Sequence, residues 1–180
     1  MNFKKRKVAW VTGASSGIGK ALSLKLSDED WNLALTSRRV EELQKLSGDL
    51  KTDNIIAPAD VSNINELSLA CDNIFNKFET IDLCVLNAGI YKSVEGGKIN
   101  SSIFNEHMQV NYMGVVNALE LILPKMIKNK YGHIIIVSSP TGWRGLPRAT
   151  AYGPTKAALK NLAESLRYSL ELHNIRIQLV

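Results

Sequence analysis

Short apolar runs alternate with longer stretches of helical periodicity along the whole chain. The apolar runs are continuous, as is typical of strands buried on both faces, and they predict strands at Val8–Thr12, Leu33–Ser37, Ile55–Pro58, Leu83–Asn87, His133–Ser138 and Arg176–Val180. The periodic stretches predict helices at Gly17–Leu26, Val40–Leu50, Ile64–Phe78, Ser102–Ile127 and Tyr152–His173, and Pro124 is expected to bend or end the fourth of them. This alternation favours an α/β fold with a parallel sheet, right-handed crossovers and helices on both faces.

The composition is that of one ordinary globular domain covering residues 1–180. With 180 residues, 45% hydrophobic and 22% charged, the chain can bury one core but is too short for two full domains. A net charge of +5 and the basic run Lys4–Lys7 raise the possibility of nucleic-acid binding, but we interpret the run as a solvated terminus. Cys71 and Cys84 lie outside any metal-binding spacing, and no apolar run reaches the length of a membrane span. We therefore expect a cytoplasmic protein without metal, membrane or nucleic-acid partners.

The segment Thr12–Gly19 reads TGASSGIG and fits two unrelated templates. Its first five residues after Thr12 satisfy G-x-S-x-G, the nucleophile elbow of an esterase, with Ser15 as the nucleophile. Its glycines also form a turn that could hold a pyrophosphate at the start of a helix, with Ser15 and Ser16 as turn residues and hydroxyl donors.

The histidines argue against the esterase. A nucleophile elbow needs a later histidine near the carboxyl end of a strand, and none of His107, His133 and His173 is predicted there. We predict instead that each is a surface or capping histidine. The pattern therefore favours the dinucleotide turn.

Other polar segments are predicted to lie at the same rim of the sheet as the glycine turn. Ligands of open parallel sheets bind beyond the carboxyl ends of the strands, and Asn87-Ala88-Gly89 and Ser138-Ser139 each follow a strand. The second strand ends in Ser37-Arg38-Arg39, where an NAD site usually carries an acid, and a guanidinium suits a 2′-phosphate instead. After the third strand, Asp60 either accepts from an adenine amino group or caps the next helix, a role for which Ser62 and Asn63 compete.

Tyr152 and Lys156 stand four residues apart at the start of a predicted helix and so share one face. An ammonium about 4 Å from a phenol favours the phenolate by roughly 4 kcal/mol at an effective dielectric of about 20. The spacing thus predicts a tyrosine tuned for general acid/base work on an alcohol–carbonyl pair. Y-x-x-x-K alone is a weak motif, and its weight comes from following Ser139 at the predicted rim.

Taken together, TGASSGIG, Asn87-Ala88-Gly89, Ser139 and Tyr152-x-x-x-Lys156 resemble the short-chain dehydrogenase/reductase family, in its compact oxidoreductase branch. The resemblance implies a Rossmann-type doubly wound sheet of strand order 3-2-1-4-5-6. It implies that Tyr152 transfers the proton, that Lys156 lowers the pKa of Tyr152 and holds the nicotinamide ribose, that Ser139 bonds the substrate oxygen, and that Asn111 supports a water-linked relay. The implied cofactor-binding residues are Gly13, Ser15, Ser16, Gly17, Ile18, Gly19, Arg38, Arg39, Asp60, Val61, Asn87, Ala88, Gly89, Tyr152 and Lys156.

The resemblance also implies a cofactor, a substrate class and an assembly. Arg38 would select NADP(H) over NAD(H), the substrate would be an alcohol or a ketone or aldehyde, and the two long helices would pair copies into a homodimer or homotetramer. Family members usually run to about 250 residues, so we expect a truncated domain without a seventh strand that binds NADP weakly and turns over poorly. A non-catalytic NADP-binding or regulatory protein on the same fold is the alternative.

Overall fold

The computed structural model describes residues 6–180, which form a parallel sheet between two layers of helices, so Lys4 and Lys5 of the basic run lie outside the described residues. The strands are β1 Val8–Thr12, β2 Asn32–Thr36, β3 Asn54–Ile56, β4 Leu83–Leu86, β5 Gly132–Ile136 and β6 Ile175–Leu179. They pair in the order β3-β2-β1-β4-β5-β6, and each neighbouring pair is parallel. The predicted doubly wound Rossmann-type sheet is confirmed, and within residues 6–180 no seventh strand joins it.

The helices are α1 Gly17–Asp28, α2 Val40–Asp49, α3 Ile64–Phe78, α4 Ser101–His107, α5 Gly114–Asn129 and α6 Tyr152–Glu171. Several predicted strands run one or two residues too far, because Ser37, Pro58, Asn87 and Ser138 lie just beyond their strands. Those residues therefore belong to the loops at the carboxyl rim of the sheet.

The long helix predicted over residues 102–127 is interrupted. A π-helical turn, Met108–Met113, separates α4 from α5. Pro124 does not end the helix, which continues to Asn129. The buried face of α5, which includes Leu119, Ile122 and Met126, accounts for this, since tertiary packing outweighs the one hydrogen bond that a proline removes.

The core lies on both faces of the sheet. Successive side chains of a strand point to opposite faces, and in β1 they are all buried: Val8 and Trp10 join one apolar cluster, and Ala9 and Val11 join the other. This explains why the strands read as continuous apolar runs. Cys71 and Cys84 are both buried free thiols of this interior.

Residues 6–180 contain neither a membrane-spanning helix nor a cluster of metal ligands. None of their helices combines the length and apolar character that a membrane crossing requires. Nor do these residues bring together three or more histidine, cysteine, aspartate or glutamate side chains that could hold a metal ion.

Candidate active site

A cleft of about 420 Å³ lies at the carboxyl rim of the sheet, between the loops that follow β1, β2, β3 and β4. Most of the predicted cofactor residues line it: Gly13, Ser15, Ser16, Ile18, Arg38, Arg39, Asp60, Val61, Asn87, Ala88 and Gly89. Ser37, which the sequence places beside the two arginines, also lines the cleft, and sequence reasoning missed Ala59, Ile90 and Val110, which line it too. Four predicted cofactor residues are outside the lining: Gly17 and Gly19, which act within the turn itself, and Tyr152 and Lys156, which lie in α6.

The glycines of the turn are required by conformation and by close packing. Gly13 and Gly17 have φ of 66° and 53°, the left-handed region that favours glycine. A Cβ on Gly13 would lie 2.8 Å from the Cα of Ala88, and one on Gly19 would lie 2.3 Å from the carbonyl oxygen of Gly13. The turn therefore brings the N-terminus of α1, with its unpaired N–H groups, directly against the cleft.

Thr12 and Asn87 lock the first and fourth loops together. The Thr12 hydroxyl accepts hydrogen bonds from the backbone N–H groups of Asn87 and Ala88, at 3.0 and 3.1 Å. In return the Asn87 amide donates to the carbonyl oxygens of Thr12 and Gly13, at 3.1 and 3.3 Å. Asn87 thus shapes the cleft by fixing the glycine turn, in addition to lining it.

The two adjacent arginines point to different partners. The Arg39 guanidinium donates to Ser15 Oγ from Nε and Nη2, at 3.1 and 2.8 Å, and to Ser16 Oγ from Nη2 at 2.5 Å. Arg38 instead pairs with Asp60, with Nη1 and Oδ2 3.5 Å apart. Because both serine hydroxyls accept from Arg39, their own protons remain available for an anion in the cleft.

Asp60 does not cap α3. Asn63 is the cap, since its side chain accepts from the N–H groups of Asn65 and Glu66. The Asp60 carboxylate accepts from the backbone and hydroxyl of Ser62, at 2.9 and 2.6 Å. Burial acts to raise the pKa of Asp60, but the Ser62 hydrogen bonds and the charge of Arg38 outweigh it and leave the pKa below its ordinary value. Asp60 is therefore an ionised acceptor at the cleft.

Tyr152 and Lys156 lie in the first turns of α6, close to Ser139 in the loop after β5. The Ser139 hydroxyl accepts from the Thr141 hydroxyl at 3.0 Å and is near enough to the Tyr152 phenol to act on the pKa of that phenol. The Lys156 ammonium is buried, donates to the Val137 carbonyl at 2.8 Å and lies 5.4 Å from the centroid of the Tyr152 ring. Three of the four predicted catalytic side chains are thus brought together.

The ionisation of this group differs from the expectation. Burial lowers the pKa of Lys156 to about 8. Burial also raises the pKa of Tyr152, and the nearby Ser139 hydroxyl offsets that rise only in part. The expected lowering of the phenol pKa by Lys156 is absent in this geometry, because the ammonium lies over the ring and its hydrogen bond goes to Val137.

Asn111, the fourth predicted catalytic residue, is buried in the π-helical turn. Its Oδ1 accepts from the Ile90 N–H at 2.7 Å, and its Nδ2 donates to the Ile90 carbonyl at 3.0 Å and to Thr155 Oγ1 at 3.2 Å. The amide therefore joins the loop after β4 to α6. The relay that the resemblance assigns to Asn111 stays a prediction.

His107 is not the surface or capping residue that we predicted. It is fully buried; its Nε2 accepts from the Lys92 N–H at 3.0 Å, and its Nδ1 donates to the Ile103 carbonyl at 2.7 Å. His173 is exposed, and His133 is half-buried and bonded to Gln178. The partner of His107 is a backbone group 15 residues away, so no local pattern signals this role.

Tyr91 is a further residue that sequence reasoning missed. Its ring packs edge-on against that of Tyr152, with centroids 5.3 Å apart and an interplanar angle of 89°. A half-exposed tyrosine in a loop carries no periodic signal. The only available hint was its position two residues after Gly89 in a rim loop.

Comparison with known proteins gives consistent matches. Residues 7–180 match the family model described as short chain dehydrogenase. An uncharacterized oxidoreductase of Listeria monocytogenes is 36% identical over 166 residues, which span 91% of this chain and 67% of that protein. An alcohol dehydrogenase from the archaeon Thermococcus sibiricus, complexed with 5-hydroxy-NADP, superposes with a TM-score of 0.91 at 26% identity, over 97% of this chain and 74% of the other. A xylitol dehydrogenase bound to NAD+ gives 0.90 at 28% identity, over 98% and 70%.

Proposed function

The chain belongs to the short-chain dehydrogenase family of oxidoreductases, and on that premise we propose that it uses NADP(H) to interconvert an alcohol and a ketone or aldehyde. The observation that carries the proposal is the grouping of Tyr152, Ser139 and Lys156 at the same rim as the cleft. The Ser139 hydroxyl next to the Tyr152 phenol and the buried Lys156 amine next to the Tyr152 ring suit proton transfer to or from a substrate oxygen.

The residues of the cleft fit a nicotinamide dinucleotide. The glycine turn allows close backbone approach, and the N-terminus of α1 supplies N–H groups and a positive dipole end for the pyrophosphate. The side-chain amide of Asn87 fixes the turn by binding its backbone, and the Ser15 and Ser16 hydroxyls, held by Arg39, are part of the turn. When bound, the nicotinamide would give or take the hydride of the reaction.

NADP(H) is the form that we propose. No carboxylate stands at the end of β2, where a 2′-hydroxyl would need an acceptor; Ser37 and Arg38 occupy that place. Arg38 is largely exposed on the cleft and pairs with Asp60 only at 3.5 Å, so its guanidinium can turn to a 2′-phosphate. One solved relative carries an NADP-type ligand and the other carries NAD+, so the preference of this chain between NADP(H) and NAD(H) is decided by experiment.

In the proposed mechanism, Tyr152 gives a proton to the carbonyl oxygen during reduction and takes it back during oxidation. The Ser139 hydroxyl donates a hydrogen bond to the same oxygen and so stabilises the negative charge that develops there. Lys156 has a pKa of about 8, so its amine can exchange protons near neutral pH and restore the proton of Tyr152. Asn111 holds the backbone of Ile90 and the hydroxyl of Thr155 next to these groups.

The test is a screen of aldehydes and ketones for NADPH oxidation, with NADH as the cofactor control and Tyr152→Phe as the enzyme control. We expect activity with NADPH that Tyr152→Phe reduces at least about 100-fold, the usual scale of a general acid, without loss of NADPH binding. Binding without turnover across the screen would support the non-catalytic alternative. Faster turnover with NADH would contradict the role of Arg38.

We also propose that copies of the chain pair through α5 and α6. At the end of α6, Tyr168 and Leu172 are 75% and 70% exposed, as expected of apolar side chains that a second copy would cover. Light scattering after size exclusion measures the assembly, and Tyr168→Lys should shift a dimer or tetramer toward monomer. A parent that is monomeric at micromolar concentration contradicts the proposal.

A further inference from the structure

Two side chains of one helical segment hold the loop after β4 in place. His107 binds the backbone N–H of Lys92, and Asn111 binds both polar backbone groups of Ile90. Ile90 and Lys92 are the neighbours of Tyr91 in the sequence. The peptide groups on both sides of Tyr91 are therefore held by these hydrogen bonds. Its backbone is thereby anchored although the loop is at the surface.

The same loop is tied on its other side to the segment that precedes α6. The Val94 N–H donates to the Arg148 carbonyl at 3.0 Å, and Arg148 Nε donates to Ser93 Oγ at 3.0 Å. The Tyr91 hydroxyl lies 3.5 Å from the same Arg148 carbonyl. Arg148 has a φ of 66°, which is uncommon for a residue with a side chain. These contacts connect the loop after β4 to the start of α6, where Tyr152 lies.

The anchored residue contacts the tyrosine that we assign to proton transfer. The Tyr91 ring meets the Tyr152 ring at 5.3 Å and 89°, which is the favoured edge-to-face arrangement. Tyr91 is nevertheless 56% exposed, so burial in the core does not account for its place.

We propose that Tyr91 is a positioning residue for Tyr152. His107 and Asn111 anchor the backbone on either side of Tyr91, and the Tyr91 ring then holds the Tyr152 ring in the orientation that keeps the phenol at Ser139. The inference rests on the proposed function for its kinetic consequence, because only a tyrosine that transfers a proton gains rate from a fixed orientation. The contact itself is independent of that function.

The kinetic test compares Tyr91→Leu, which removes the ring, with Tyr91→Phe, which keeps it. We expect Tyr91→Leu to lower kcat about 2- to 10-fold, the value of one edge-to-face contact, while KM for NADPH changes less than kcat. Tyr91→Phe should restore kcat. Tyr131→Leu is the matched control, since Tyr131 is 45% exposed and lies between α5 and β5, away from the rim. A kcat that is equal in Tyr91→Leu and the control overturns the proposal.

A second measurement separates this inference from the proposed function. In the chain labelled with 3-fluorotyrosine, the ¹⁹F resonance of Tyr152 is assigned by its loss in Tyr152→Phe. We expect one narrow line in the parent and in Tyr91→Phe, and a broadened or split line in Tyr91→Leu, with a further truncation, Tyr91→Ser, behaving alike. A narrow single line in both truncations overturns the positioning role. If no carbonyl compound is reduced by the parent, the proposed function fails, and the ¹⁹F spectra still decide the role of Tyr91.

Discussion

Asn111 satisfies both polar backbone groups of Ile90, accepting its N–H at 2.7 Å and donating to its carbonyl at 3.0 Å. A neighbouring strand would make the same pair of hydrogen bonds, but Ile90 lies beyond the end of β4, where the sheet no longer provides a partner. One buried amide therefore continues the pairing into the loop that faces Tyr152.

Replacing Asn111 should cost stability whatever its role in turnover. In Asn111→Asp the carboxylate can still accept the Ile90 N–H, but it places a buried charge against the Ile90 carbonyl. We expect the free energy of unfolding in urea to fall by about 2 kcal/mol or more. Asn105→Asp, at an exposed position of α4, should change it by less than about 0.5 kcal/mol. Equal effects of the two variants would show that the Ile90 contacts contribute little.

Gly19 and Gly48 form a matched pair for the packing of the glycine turn. A Cβ at Gly19 would lie 2.3 Å from the Gly13 carbonyl oxygen, whereas a Cβ at Gly48 in α2 would meet nothing within 4 Å. Gly19→Ala should therefore destabilise the chain by about 1–3 kcal/mol and weaken NADPH binding. Gly48→Ala should stabilise it by up to about 1 kcal/mol. Thermal unfolding and NADPH fluorescence titration measure both effects, and a neutral Gly19→Ala would refute the close packing of the turn.

Lys156 should make stability depend on alkaline pH. Its pKa is about 8 in the folded chain, below its ordinary value of 10.5. Below pH 8 the amine is protonated in both states, and the folded state bears the cost of a buried charge. Between pH 8 and pH 10.5 Lys156 is deprotonated in the folded chain but still protonated in the unfolded chain. The free energy of unfolding therefore rises with pH over this range, by at most about 3 kcal/mol.

The comparison of Lys156→Met with Lys160→Met isolates that contribution. Urea unfolding at pH 7, 8, 9 and 10 gives the change of stability with pH for each chain. Lys156→Met should lose the rise, and Lys160→Met, in the same helix and paired with Glu164, should keep it. A rise of equal size in all three chains would mean that other groups are its source.

The two arginines after β2 should affect cofactor binding differently. Arg39 acts through Ser15 and Ser16 in the glycine turn, so Arg39→Met should weaken NADPH and NADH binding alike. Arg38→Met should weaken NADPH about 10- to 100-fold, the value of a charge-assisted hydrogen bond, and leave NADH unchanged. Arg167→Met, near the other end of α6, is the control for charge alone. A loss restricted to NADPH in Arg39→Met would assign the 2′-phosphate to Arg39 instead.

The fold could be predicted because its signals are local and redundant. Each residue of β1 is buried on one face or the other, which produces a continuous apolar run, and loops such as Asn87-Ala88-Gly89 must follow strands that end at one rim. The sequence could not show which of two adjacent arginines turns toward the glycine turn, since both choices are compatible with the same strand. Nor could it show that Lys156 bonds Val137, which changes the ionisation of the whole group.

The residues that were missed depend on contacts distant in sequence. His107 looks like any helical histidine until Lys92 is brought back over it, and Tyr91 acquires its neighbour Tyr152 only through the tertiary fold. The apolar periodicity of residues 102–127 does not reveal the π-helical turn, because one extra residue in a turn shifts the pattern without breaking it.

That turn makes the length of this stretch as important as its composition. Each residue of an α-helix advances the chain by about 100°, so removing one residue from Met108–Met113 would rotate α5 by about that angle relative to α4. The helices α4 and α5, on either side of the turn, contact different parts of the molecule. His107 at the end of α4 binds Lys92, whereas Asn117 in α5 donates to the Val61 carbonyl at 2.9 Å. Substitutions here change one contact at a time, but a single-residue deletion would misalign every contact on one side at once.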